Sequence, residues 1–234
     1  MIKFEESRKY RNDIDGLRAI AVLAVIIFHF GHLQNGFLGV DVFFVISGYL
    51  ITGILYRQLI ENRLSISNFY IRRTRRIIPL VSFMCLFTLA LGIIVMLPDD
   101  LENLAQSIIA TNLFANNILP VLTTKNYWDV VNEFKPLMHT WSLGIEEQYY
   151  LFYPFIFLFL RGSRFKWILP CLIVCTIISL VLFFSSFEHF YKFYLLPFRF
   201  FELSIGGIMA IVLKNKLVVH SFSPLLITIL LIIL

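Results

Sequence analysis

Long runs of apolar residues, separated by short polar or charged stretches, dominate the chain. Seven windows are long enough to cross or nearly cross a bilayer, which takes about 20 helical residues. They fall near 17–33, 38–56, 77–97, 140–160, 167–187, 195–213 and 222–234. Backbone groups in lipid must be satisfied within their own segment, so each window is predicted to be a helix. The fold class is therefore an all-α polytopic transmembrane bundle, a single domain over 1–234. The segment 98–138 is the one long connection. Its apolar residues are interrupted by Glu102, Asn103, Gln106, Asn112, Asn116 and Asn117, which suits an outer-face helix or cap better than a span. The seventh window runs to Leu234 without a polar flank, which suggests that further chain follows.

Composition supports this reading. Apolar residues make up 59% of the sequence and charged residues 15%, well below the roughly 25% charged of ordinary soluble domains. The net charge of +5 would suit nucleic acid, but its distribution indicates topology instead. Taking the connections alternately, sixteen Lys and Arg lie on one side and three on the other, with Arg199 inside an apolar window. Basic residues accumulate on the cytoplasmic side, so the N-terminus is predicted to be cytoplasmic and nucleic acid is not an expected partner. Cys85, Cys171 and Cys175 all lie in apolar windows and read as small buried hydrophobes. Neither a disulfide framework nor a metal site is expected.

Ionisable groups within membrane segments are costly, and each is a functional candidate. Here they are Arg18, His29, Asp41, Glu146, Glu147, Arg199 and Glu202. Arg18 and His29 are eleven residues apart, which brings them to within about 20° of one helix face and about 16.5 Å apart along the axis. Arg18 could equally be a snorkelling interfacial cation, and His29 a hydrogen-bonding partner of another helix. The predicted topology puts His29, Asp41, His139, Glu146, Glu147, Arg199 and Glu202 in the outer half. An imidazole beside a carboxylate can act as a general base, so His29, Asp41, Glu146 and Glu147 are the candidate catalytic residues. Arg199 and Glu202, three residues apart, can pair along one face. On the opposite face, Arg72, Arg73, Arg75 and Arg76 precede the third helix. Such a cluster suits phosphate or anionic lipid head groups. Ser47-Gly48 and Gly206-Gly207 suit close helix packing.

Four blocks then resemble the acyltransferase 3 family: Asp15-Gly16-Leu17-Arg18 with His29; Gly39 to Thr52; Phe69 to Leu80; and His139 to Tyr150. The resemblance runs from about Arg11 to Ala210 and implies a bacterial inner-membrane enzyme of about ten spans that O-acylates surface carbohydrate. It implies essential roles for Arg18 and His29, and for an Arg-x-x-Arg pair that Arg72/Arg75 or Arg73/Arg76 satisfies. It also implies acetyl-CoA as the cytoplasmic donor, bound by Arg18 and the arginine cluster, with no tightly bound cofactor. The acceptor would be a hydroxyl of lipopolysaccharide O-antigen, peptidoglycan or exopolysaccharide. With fewer spans here than in the family, a separately encoded C-terminal half is a further expected partner, beside membrane lipid. The alternative reading is a non-enzymatic membrane protein, either transporter-like or an inactive truncated remnant.

Overall fold

The computed structural model describes residues 11–123 and 135–214, and among these every regular element is helical. The apolar windows become α1 (Asn12–His29), α2 (Leu38–Ile60), α3 (Ile66–Val95), α6 (Trp141–Phe159), α7 (Ile168–Phe184) and α9 (Leu196–Lys214). Between them lie α4 (Pro98–Asn112), α5 (Leu119–Thr123) and α8 (His189–Tyr194). The expected seventh window, 222–234, lies outside the described residues. By length and composition, four helical stretches can cross a membrane: Leu38–Ile60, Ile66–Val95, Gly162–Phe184 and His189–Lys214. These hydrophobic helices make the chain a membrane protein.

One boundary differs from the sequence reading. The arginine cluster does not precede the third helix but lies inside it, because α3 begins at Ile66. Ser65 caps this helix by accepting from the Asn68 backbone N–H at 3.4 Å. Straight-chain Arg residues lose little rotamer freedom in a helix, so a hydropathy window starting at 77 missed its first turns.

The core is built around α2. Phe44, Ile51, Leu55 and Tyr56 pack with Trp141, Ile145, Tyr149 and Tyr153 of α6, and with Leu203 and Ile211 of α9. Helix α2 approaches α9 backbone to backbone. A Cβ on Gly48 would lie 1.7 Å from the Leu203 carbonyl oxygen, and one on Gly206 would lie 1.9 Å from that of Val45. Small residues permit this approach, and hydroxyls supply polar cohesion where lipid offers no hydrophobic drive. Thr52 Oγ1 and Tyr153 Oη are 2.6 Å apart. Thr176 of α7 bonds Ser204 of α9, and Ser179 Oγ donates to the Pro197 carbonyl at 2.7 Å.

The two remaining long helices are peripheral. Helix α1 packs on α2 with Ile14 and Ala21 buried, while Leu17, Ile20, Leu23 and Phe30 stay exposed. Helix α3 packs with α4 through Val81, Cys85 and Leu104, and exposes Leu80, Phe83, Leu86 and Ile94. Such apolar outer surfaces suit lipid contact.

The described part of the 98–138 connection forms a helical cap of α4 and α5. Pro98 at the helix start, with Asp99 and Asp100 in the first turn, gives α4 a favourable N-terminus. Two buried asparagines tie the cap down. Asn116 Nδ2 donates to the Leu137 carbonyl at 2.6 Å. Asn117 and Gln148 exchange hydrogen bonds of 3.2 and 2.8 Å, joining the cap to α6.

Candidate active site

Helix α1 ends immediately beyond His29. Gly31 takes a left-handed conformation with φ of 77°, and its N–H and that of His32 return to the Phe28 and Ile27 carbonyls at 2.9 and 3.2 Å. This glycine-dependent stop leaves His29 in the last helical turn. Its Nδ1 lies 2.8 Å from the Val25 carbonyl oxygen. A carbonyl can only accept, so Nδ1 carries the proton in this arrangement, and Nε2 presents a lone pair in the neutral ring. The partner that orients His29 is thus its own helix backbone, where the sequence pattern suggested a carboxylate.

A cavity of about 540 Å³ opens beside this ring. His29 and Val25 of α1, Asp41 and Phe44 of α2, His139, Trp141 and Glu146 around the start of α6, and Arg199 of α9 are among its walls. The His29 and His139 rings meet edge to face, with centroids 4.7 Å apart. His139 precedes α6, and burial with the nearby His29 lowers its pKa below the ordinary imidazole value. Four separate elements therefore bring five of the seven groups of the predicted outer layer, His29, Asp41, His139, Glu146 and Arg199, to a single concave surface. Most of that surface is apolar, with few polar groups, which is the usual make-up of a ligand pocket.

The acids occupy distinct positions. Asp41 Oδ1 is 3.0 Å from Arg199 Nη1, which also contacts Glu202 Oε1 at 2.5 Å. The predicted Arg199–Glu202 pair is present, and Asp41 is a third member that the sequence did not indicate. Arg199 Nε also donates to the Phe193 carbonyl at 3.4 Å, and its guanidinium lies 5.2 Å from the Phe193 ring centroid. Glu146 accepts from Ser47 Oγ at 2.6 Å, and Tyr150 Oη lies 3.2 Å from its other oxygen. Glu147 is not a lining residue: adjacent helical residues point about 100° apart, and Glu147 has one buried oxygen with no hydrogen-bond partner. It belongs instead to the environment of Arg73.

The arginine cluster is divided in the same way. Arg72, Arg75 and Arg76 are exposed, whereas Arg73 is half-buried, 5.2 Å from the Tyr150 ring centroid and 5.8 Å from that of Phe69. It also lies within electrostatic reach of Glu146 and Glu147. Arg18 is half-buried and pairs with Asp15 at 3.5 Å. Arg18 also acts electrostatically on Glu146. Arg18 and Arg73 thus both act on Glu146, which is hydrogen-bonded in one group with Ser47 and Tyr150. The cavity also includes His139, Trp141 and Arg199, to which the sequence reading gave no catalytic or donor-binding role. His139 and Trp141 sit within the fourth motif block, and Arg199 was a visible intramembrane charge. None of the described residues form a group suited to a metal ion, and all three cysteines are free.

The sequence matches the family described as "Acyltransferase domain", the acyltransferase 3 family, over residues 11–234. It is 43% identical over 162 residues to the peptidoglycan O-acetyltransferase OatA of Listeria monocytogenes, covering 68% of this chain and 26% of that protein. It is 39% identical over 181 residues to the O-acetyltransferase OatA of Staphylococcus aureus, covering 74% of this chain and 29% of that protein. A putative O-acetyltransferase of Staphylococcus aureus is 40% identical over 157 residues, covering 66% of this chain and 26% of the relative. The chain therefore spans about a quarter of the length of these relatives. No solved structure matches. The family profile covers all the motif blocks, and the structure gathers residues of three of them round one cavity; the chain belongs to the acyltransferase 3 family.

Proposed function

We propose that the protein is part of a membrane O-acetyltransferase that moves an acetyl group from acyl-CoA to a hydroxyl of a cell-surface carbohydrate, peptidoglycan being the first candidate. The single observation that carries this reading is the His29 imidazole, whose Nδ1 is tied to the Val25 carbonyl while the ring lines the cavity. The names of the relatives favour peptidoglycan among the possible acceptors.

In this mechanism the Nε2 lone pair of His29 takes the proton of the acceptor hydroxyl. The resulting alkoxide attacks the thioester carbonyl, the new C–O bond forms and the C–S bond breaks. The leaving thiolate then takes the proton from His29, so the ring is neutral again. Attack by Nε2 itself, giving an acyl-imidazole before transfer to the hydroxyl, yields the same products. Arg72, Arg75 and Arg76 are exposed to grip the donor phosphates, and Arg18 and Arg73 mark the way inward. Asp41, Glu146 and Glu147 act on the surroundings of the reaction, through Arg199, Ser47 with Tyr150, and Arg73 respectively. The basic-residue asymmetry supports an N-terminus in the cytoplasm and a cavity on the outer side of the bacterial cytoplasmic membrane.

The test is acetate transfer to muropeptides in membranes carrying the full-length protein, supplied with labelled acetyl-CoA and read by mass spectrometry. His29→Ala is expected to lower transfer by about 10² or more, the usual contribution of a positioned base. Retained transfer in that variant rules out the assignment. Solute uptake that depends on His29, with no acylated product, identifies a transporter instead.

A further inference from the structure

Resting on the acetyl-transfer reading, we propose that His139 is a positioning residue for His29, its ring fixing the plane of the His29 imidazole at the cavity wall. Two observations carry this. The rings are edge to face at 4.7 Å, with planes 83° apart, and both line the same cavity. Phe28 flanks His29 with a second edge-to-face contact at 5.3 Å, but Phe28 belongs to the same helix and moves with it. The Val25 bond is likewise internal to α1. Of these three contacts, His139 alone relates the ring to the rest of the site.

That relation matters because α1 is peripheral and its apolar face is largely exposed. The His139 side is the rigid partner. The turn that carries it is anchored by Thr140, whose Oγ1 is 2.9 Å from Thr111 Oγ1 and accepts from Asn116 Nδ2 at 2.7 Å. The other charged groups of the cavity are already engaged: Asp41 with Arg199, and Glu146 with Ser47 and Tyr150.

The claim concerns the ring and not its nitrogens, which gives a direct test on the full-length protein in membranes. His139→Ala is expected to lower kcat by about 10- to 100-fold with KM for acetyl-CoA little changed, the range for a misplaced catalytic group. His139→Phe keeps the ring and is expected to stay within about threefold of the parent. An alanine variant with parental kcat, or a phenylalanine variant as impaired as alanine, overturns the proposal. Should the alanine protein fail to accumulate, His139→Asn removes the ring in its place.

A second measurement needs no substrate: the rate at which diethyl pyrocarbonate modifies His29, followed by peptide mass spectrometry. Removing the ring at 139 uncovers one flank of His29. The rate is expected to rise about threefold or more in His139→Ala and to stay near parental in His139→Phe, as the packing of neighbouring aromatic rings dictates. An unchanged rate in His139→Ala overturns the proposal. If the parent transfers no acetyl group, the functional reading fails, and the modification rates still decide the contact.

Discussion

At the scale of single residues, what separates a catalytic candidate from a structural ion is where each charge finds its partner. Asp41, Arg199 and Glu202 form one buried cluster, with the Arg199 side chain 11% exposed and that of Glu202 4%. Removing one partner leaves uncompensated charge in a poorly solvated place, which costs about 3–5 kcal/mol in comparable buried pairs. Arg199→Met is therefore expected to lower the thermal stability of the detergent-solubilised protein markedly. The double variant Asp41→Asn with Arg199→Met is expected to recover part of that loss, since it strands one acid fewer. A thermal aggregation series on the parent, the single variant and the double variant checks both. Glu146 belongs to a different arrangement, a carboxylate with hydroxyls for partners on the wall of the cavity itself. Glu146→Gln preserves its shape, so it is expected to reduce transfer with less effect on stability than Arg199→Met. Activity and melting measured on the same preparations separate the two.

At the scale of elements, α2 is the framework on which the other helices are mounted. It carries Asp41 and Ser47 towards the site and Gly48 towards α9. The closeness of α2 and α9 brings Arg199 within reach of Asp41, 158 residues away in sequence. Gly48→Leu puts a branched side chain where the Leu203 backbone already lies. Overpacking of this kind costs about 1–3 kcal/mol, and here it also separates the Asp41–Arg199 pair. Lower accumulation in membranes and a lower melting temperature are the expected outcomes. Gly53 faces open space on the same helix, so Gly53→Ala is expected to leave both unchanged. Helix α1 illustrates a different limit. It holds Arg18 and His29, yet buries little of its surface in the described bundle, so the position of His29 depends on few contacts.

For the whole molecule, the expected arrangement is two polar regions joined through the bundle. The proposed topology sets the exposed Arg72, Arg75 and Arg76 on the cytoplasmic side and the cavity with His29 on the outer side, and Arg73 acts on Glu146 of the cavity wall. The proposed orientation can be tested without any activity. On a background lacking the three native cysteines, Asn35→Cys in the α1–α2 turn should react with a membrane-impermeant thiol reagent applied to intact cells. Asn62→Cys, beyond the end of α2, should react only after permeabilisation. Both positions are exposed in the structure, so reversed labelling would invert the topology and place the arginine cluster outside.

Much of this protein was legible in its sequence because lipid imposes simple rules. Backbone hydrogen bonds must close within each segment, so the apolar runs among the described residues became helices, with α3 starting earlier than its apolar window. The four motif blocks pointed to the family, and three of them supply residues to the cavity. Pairing was not legible. No periodicity shows that Asp41 reaches Arg199, that Arg73 turns inward among three exposed arginines, or that Glu146 lines the cavity while its neighbour Glu147 does not. Nor does it show that a backbone carbonyl orients His29, or that His139 supplies the ring against it. Sequence alone determined the solvent, the helices and the inventory of costly polar groups, because each depends on local composition. Tertiary structure decided which of those groups meet, because that depends on how closely helices approach, and here glycine contacts at Gly48 and Gly206 set that distance.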